Sequence, residues 1–363
     1  MENKDIYKRW MGRLLAVILA VMAAMALLMW IIDPYCNYRA YDHRYKLEEQ
    51  FSTPGLIKNW SYDSLVIGSS MAQNFDPNSF REELGLEPLK ATTGGMNNTD
   101  LISLLRLGQE SGHAENYFIC IDPSILSKEP QECKYPSYLM DHSWLNDYRY
   151  WFGYEAWTRY IPLDMGLLLA DRLGIELPQR WKDTRSIDSM SGWAYRSSFG
   201  SEEVLKYYAD TKTAAAVTVD LRELDEDPIG NCDRFLSQLD LSRGNYVFFI
   251  PPYSSLFWYD MKNSGEMDDF LEVKEHFISH VSQYDNVQVF DFQGADFTAD
   301  LDKYMDLSHY SPDINHFMVE CFASGEFRRG PEGGEKIRQD IERNIAVMLE
   351  RYPEILELNK EAG

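Results

Sequence analysis

The stretch Ser64-Leu65-Val66-Ile67-Gly68-Ser69-Ser70 decides how this chain is read. Leu65, Val66 and Ile67 form a short apolar run suited to a strand buried on both faces, and Gly-Ser-Ser breaks that run at the lip of a sheet. A serine at such a lip has its hydroxyl outside the sheet, where it can attack. Much further along, the chain reads Asp306-Leu307-Ser308-His309. A carboxylate three residues before an imidazole is spaced to accept its Nδ1 proton, which fixes the tautomer and steadies the imidazolium. A serine hydroxyl is a poor nucleophile near neutral pH and must surrender its proton to such a base. Ser70, His309 and Asp306 are therefore the candidate nucleophile, base and orienting carboxylate. The plain alternative for Ser69 or Ser70 is a helix cap.

Outward from that turn, strand and helix signals alternate. A helix is expected from about Thr99 to Glu110, then the run Tyr117 to Ile121, the run Tyr246 to Ile250, a helix from Met267 to Val281, a strand from Val287 to Phe290, and a last amphipathic helix from Gly334 to Arg351. Short apolar runs separated by helices indicate an α/β fold with a central parallel sheet, and right-handed crossovers make a three-layer α/β/α sandwich its natural closure. Functional residues then belong at the carboxyl ends of the strands. Pro251-Pro252-Tyr253 sits at one such end, where Tyr253 can shape a pocket or simply close a rigid turn.

Residues 124–240 break the rhythm and are dense in aromatics between Tyr135 and Tyr160, so they read as an insertion: a lid or sugar-stacking surface, or a satellite core. Residues 353–363 read as a tail.

From Leu14 to Ile32 there is no charged residue, which suffices to cross a bilayer core about 30 Å thick as a helix. Lys4, Lys8, Arg9 and Arg13 precede it, so the positive-inside rule expects residues 1–13 in the cytoplasm, an uncleaved anchor over 14–32, a polar tether over 33–60 and an extracytoplasmic domain over 61–352. A cleaved leader ending near Ala24-Met25-Ala26 is the competing reading. Ala16, Ala20 and Ala24 form a small-residue stripe on which another membrane helix can pack. The formal charge of −23 argues against a nucleic-acid partner, and the hydrophobic share of 45% suffices for a core. No metal site is expected, because the five cysteines lack ligand spacing and His276 and His280 lack the intervening Glu of a zinc helix; no cofactor is expected either. Cys133 and Cys232 are a possible disulfide, Cys120 a buried thiol.

With Gly68-Ser69-Ser70 near the start, Gly94-Gly95 after the next short strand and Asp306 with His309 before the last helices, the chain resembles the SGNH/GDSL hydrolase superfamily over residues 60–350. Within it, the resemblance is to the membrane-anchored branch that works on cell-surface polymers, such as the D-alanyl and polysaccharide O-acyl transfer proteins. The Asp33-Pro34-Tyr35 that follows the anchor is similar to that branch as well. The resemblance implies a serine esterase or O-acyltransferase acting on acetyl or D-alanyl groups of a cell-surface glycan or teichoic-acid-like polymer, supplied by a multi-pass membrane O-acyltransferase. It implies Ser70 as nucleophile, Ser69 in place of the usual aspartate, and an oxyanion site from the backbone N–H groups of Ser70 and Gly95, with Asn97 as an added donor. The sequence departs from the family after the third strand, where Ile121-Asp122-Pro123-Ser124 replaces the block that carries the oxyanion asparagine. An ionised Asp122 would repel an oxyanion, so Asp122 points elsewhere, or Ser124 or Asn97 donates. Asp122, Ser124, Ser69, Tyr253 and His316 are the expected substrate-side residues. The reading from another class is a catalytically weak binding or assembly module of an acyl-transfer or glycan-export complex.

Overall fold

The computed structural model describes residues 2–40, 48–179, 181, 192–213 and 224–361. The chain divides into two compact units, Met1–Trp60 with Tyr135–Lys182, and Ser61–Lys134 with Asp183–Gly363.

The larger unit is an α/β structure around a six-stranded sheet. Its strands are β1 (Ser64–Gly68), β2 (Pro88–Thr92), β3 (Asn116–Cys120), β4 (Asn245–Ile250), β5 (Val287–Asp291) and β6 (Arg328–Arg329), in the order β2-β1-β3-β4-β5-β6. The first five strands in that order run parallel and β6 pairs antiparallel with β5. The expected strands thus appear within a residue or so of their predicted bounds. The helices Asn98–Ser111, Met267–Val281 and Gly334–Arg351 also fall where periodicity puts them. β1 is buried at every position, as a strand covered on both sides must be. The chain leaves β1 for β2 on one side and returns to β3 on the other, so the carboxyl ends of β1 and β3 flank a topological switch point. Rings dominate the core: Phe75, Phe118, Phe249 and Phe290 all lie within 6.5 Å of Phe322, which sits on the helix Pro312–Ser324.

One buried ion cluster ties the sheet edge to its neighbours. Asp291 at the end of β5 accepts from Lys274 at 2.9 Å and from Arg329 of β6 at 2.8 Å, and Arg329 also bonds Glu275. Burial would raise the Asp291 carboxyl, but the two cations hold it below the usual carboxylate range. The expected C-terminal tail is structured: Glu354–Glu361 is a helix whose Ile355 joins the main core.

The smaller unit contains the helix Glu2–Ile32, whose span Asp5–Ile32 is long and apolar enough to cross a membrane, with an 18-residue window of mean hydropathy 2.8. The Asp33 carboxylate stops it by accepting from the backbone N–H of Asn37 and Tyr38, both at 2.9 Å, and from the Tyr150 hydroxyl at 2.8 Å. The described residues 33–40 and 48–60 are therefore no polar tether. Glu49–Asn59 is a helix, and Tyr35 and Phe51 stack at 4.9 Å in a core shared with Tyr150 and Tyr160. That pairing also corrects the single insertion over 124–240. Its aromatic half, from Tyr135 onward, belongs to this unit as core, while its later half joins the α/β unit. Among the described residues no disulfide forms, so Cys133 and Cys232 are not bridged.

Candidate active site

The serine turn is built by close packing at Gly68. A Cβ there would come within 2.5 Å of Cys120 Cβ on β3 and 2.8 Å of Ala72 Cβ, so only glycine lets β1 run this near its neighbour before turning. Ser69 follows in extended conformation and caps the short helix Ser70–Gln73, accepting from Met71 N–H. The Met71 carbonyl in turn accepts from the Tyr310 hydroxyl at 2.9 Å and Asn315 Nδ2 at 3.2 Å, which fastens the turn to the segment carrying the histidine.

That segment is organised by Asp306. Its Oδ1 accepts from the backbone N–H of Ser308 at 2.9 Å and of His309 at 2.7 Å, and its Oδ2 lies 2.7 Å from His309 Nδ1. The three-residue spacing lets one carboxylate cap its own loop and hold the ring. The Ser254 hydroxyl and N–H both donate to the Leu307 carbonyl, at 2.7 and 3.0 Å, anchoring the loop beside the carboxyl end of β4. His309 Nε2 then sits 2.8 Å from Ser70 Oγ. Ser70 is partly exposed.

A second network starts one residue earlier. The Ser69 hydroxyl donates to Asp122, just past β3, and Tyr253, just past β4, donates to the other carboxylate oxygen at 2.9 Å. Ser69 and Asp122 are each 5% exposed and Tyr253 1%. Asp122 thus points into a buried hydrogen-bonded pair, one of the two alternatives open to it. Burial raises its carboxyl above the usual range, with Ser69, Tyr253 and the His309 charge opposing. Burial followed by the Asp122 charge holds Tyr253 well above the usual phenol range, so it remains a donor. For His309, burial opposes the charged ring, but the hydrogen bond and charge of Asp306 and the charge of Asp122 prevail and raise it. Asp306 is lowered: burial works against its charge, and the His309 contact with the two backbone donors outweighs it.

Other expected site residues have partners of their own. Asn97 caps the helix Asn98–Ser111, its Oδ1 accepting from Asp100 N–H at 2.8 Å and its Nδ2 donating one of its two hydrogens to the Glu132 carbonyl at 3.0 Å. His316 is engaged as well. It bonds Ser79 at 2.8 Å and faces Glu320 at 3.5 Å, linking the helices Pro77–Leu84 and Pro312–Ser324. Gly95 occupies the loop after β2 with φ +58°, and its carbonyl accepts from Lys134. That loop begins at the end of β1, since Thr93 N–H donates to the Gly68 carbonyl at 3.1 Å. The Ser124 side chain lies outside the described residues. His276 pairs with Asp233 at 2.6 Å.

Trp193 is the contact that sequence reasoning missed. Its indole N–H donates to the Ser70 carbonyl at 2.8 Å, and its ring stands edge-on to His309 with centroids 4.9 Å apart. The only sequence signal is a Gly-Trp step within a long irregular stretch, which has no period to read. No protein-family model matches the chain, and no curated protein matches it.

Proposed function

We propose that this protein is a membrane-anchored serine esterase or O-acyltransferase acting on O-linked acyl groups of a cell-surface glycan or teichoic-acid-like polymer. The observation that carries the reading is the continuous relay Ser70 Oγ to His309 Nε2 at 2.8 Å and His309 Nδ1 to Asp306 at 2.7 Å. In this account the α/β unit is a three-layer sandwich of the SGNH type. The basic residues before the apolar helix favour a cytoplasmic N-terminus and an extracytoplasmic site. The polymer substrate, and a multi-pass O-acyltransferase as acyl source, follow from the resemblance alone.

Ser70 Oγ attacks the acyl carbonyl as His309 Nε2 takes its proton. The tetrahedral oxyanion collapses with expulsion of the alcohol, which leaves with the proton returned by His309. The acyl-serine is then attacked by water or a polymer hydroxyl whose proton passes to His309. Collapse of the second intermediate releases the product and restores the Ser70 hydroxyl. Backbone N–H groups of Ser70 and Gly95 are the oxyanion donors in this scheme, each worth on the order of 3 kcal/mol.

A second reading, a catalytically weak binding or assembly module, is favoured by Asp122 standing where the family's oxyanion asparagine belongs, held there by the Ser69 hydroxyl. A fluorophosphonate probe separates the two. Labelling that disappears in Ser70→Ala and survives in Ser69→Ala supports the enzyme; a folded protein that never labels supports the module.

A further inference from the structure

The helix Glu2–Ile32 exposes its apolar side chains along almost its whole length, Val17 at 60% and Leu19 at 56% among them. Between Asp5 and Ile32 the covered positions are Met25, Ala26, Met29 and Ile32, which share one face of the last two turns. What covers that face includes the helix Ile161–Arg172: it touches the long helix, and Met29, Ile32, Ile161 and Leu167 belong to one cluster. Ile161, Asp164, Leu167 and Ala170, three residues apart, are its shielded positions. The remaining surface is bare and mostly apolar, with the charged Asp171 and Arg172 exposed on its last turn. Leu168 is 51% exposed, Leu169 58%, Leu173 64% and Ile175 57%.

A helix this apolar on its outward sides is expected inside a core or against lipid. At 12 residues it is about 18 Å long, too short to cross a hydrocarbon layer of about 30 Å. It flanks the end of a membrane-length helix, where Arg39 stacks 4.1 Å over Trp30, a pairing suited to headgroup depth. The face an interfacial helix would turn to water is here turned to protein.

We infer that Ile161–Arg172 and the residues up to Ile175 lie in the lipid surface, forming a second membrane contact beside the N-terminal helix. The inference rests on that helix spanning a bilayer. Two contact points would fix the tilt of this unit on the membrane, which one flexible anchor does not.

The full chain reconstituted in phosphatidylcholine/phosphatidylglycerol vesicles provides the test, with an environment-sensitive fluorophore attached at Leu169→Cys, at Ile18→Cys in the long helix, or at Glu202→Cys in the α/β unit. Labelled wild-type protein supplies the background from native thiols. The expected result is loss of Leu169 fluorescence to lipids carrying nitroxides near the headgroup, loss of Ile18 fluorescence to nitroxides deep in the acyl chains, and no loss at Glu202. Quenching at Ile18 with Leu169 behaving like Glu202 overturns the inference and leaves the span standing. Absence of quenching at both overturns the span and the inference with it. In cell membranes, a photo-crosslinking residue at Leu169 that yields a discrete protein adduct also overturns it, in favour of a partner's helix.

Discussion

Two hydrogen-bond networks diverge from neighbouring serines, and they differ in every property that matters for chemistry. Ser70 is partly exposed and faces an imidazole, a base that can take and return a proton near neutral pH. Ser69 is buried and donates to a buried carboxylate that Tyr253 holds from the other side. On the proposed reading the first hydroxyl reacts and the second fixes the turn that aims it, so partner and exposure, not residue type or position in the chain, set the two apart.

The largest expected effect is at the reactive branch. Ser70→Ala abolishes fluorophosphonate labelling and His309→Ala slows it by about 10⁶-fold, because relay members act as a unit, which a labelling time course checks. Asp306→Asn leaves the hydroxyl and ring in place but favours the wrong tautomer, and labelling slows by on the order of 10⁴-fold.

The buried branch is expected to act more gently, through charge. The base must be neutral to accept the Ser70 proton, so labelling rises with pH through the raised His309 value, above the ordinary 6.5. Asp122→Asn removes one of the charges that raise it, and the midpoint moves down while labelling persists. An unmoved midpoint would dissolve the coupling between the two branches. Stability follows the opposite pH direction. The protonated, paired His309 contributes fully below its ordinary value and loses that contribution as pH rises through the raised folded value. Asp306, lowered when folded, contributes above its ordinary value of 3.8 and loses that as pH falls through the folded one.

Ser69→Ala sharpens the comparison further. It removes a cap and one donor to Asp122, costing about 1 kcal/mol from the cap alone, read as a lower melting temperature with Ser70 still labelled. The smallest effect is at Trp193→Phe, which keeps an edge-on ring near His309 but loses the bond to the Ser70 carbonyl, a matter of about 1 kcal/mol. The labelling rate should fall by less than tenfold.

What could be read beforehand was what local pattern encodes. β1, β3, β4 and β5 announce themselves as apolar runs, the helix Met267–Val281 by its period, and Asp306 with His309 by a spacing that closes within one loop. What could not be read depends on partners distant in sequence. Asn97 looks like any polar residue after a glycine pair until Asp100 and Glu132 meet it in a cap. The Asp291 cluster joins residues from three elements, each an ordinary charge in its own neighbourhood. Residues 33–60 are mixed and short of apolar runs, yet Tyr35 and Phe51 find Tyr150 and Tyr160 far along the chain. β6, two residues long, offers no pattern at all.

Mass spectrometry of the full chain after fluorophosphonate treatment, with the adduct mapped by peptide, tests the central claim most directly. A single adduct on Ser70 that disappears in His309→Ala is the expected result. A folded protein that takes no adduct, or takes one on another serine, contradicts it.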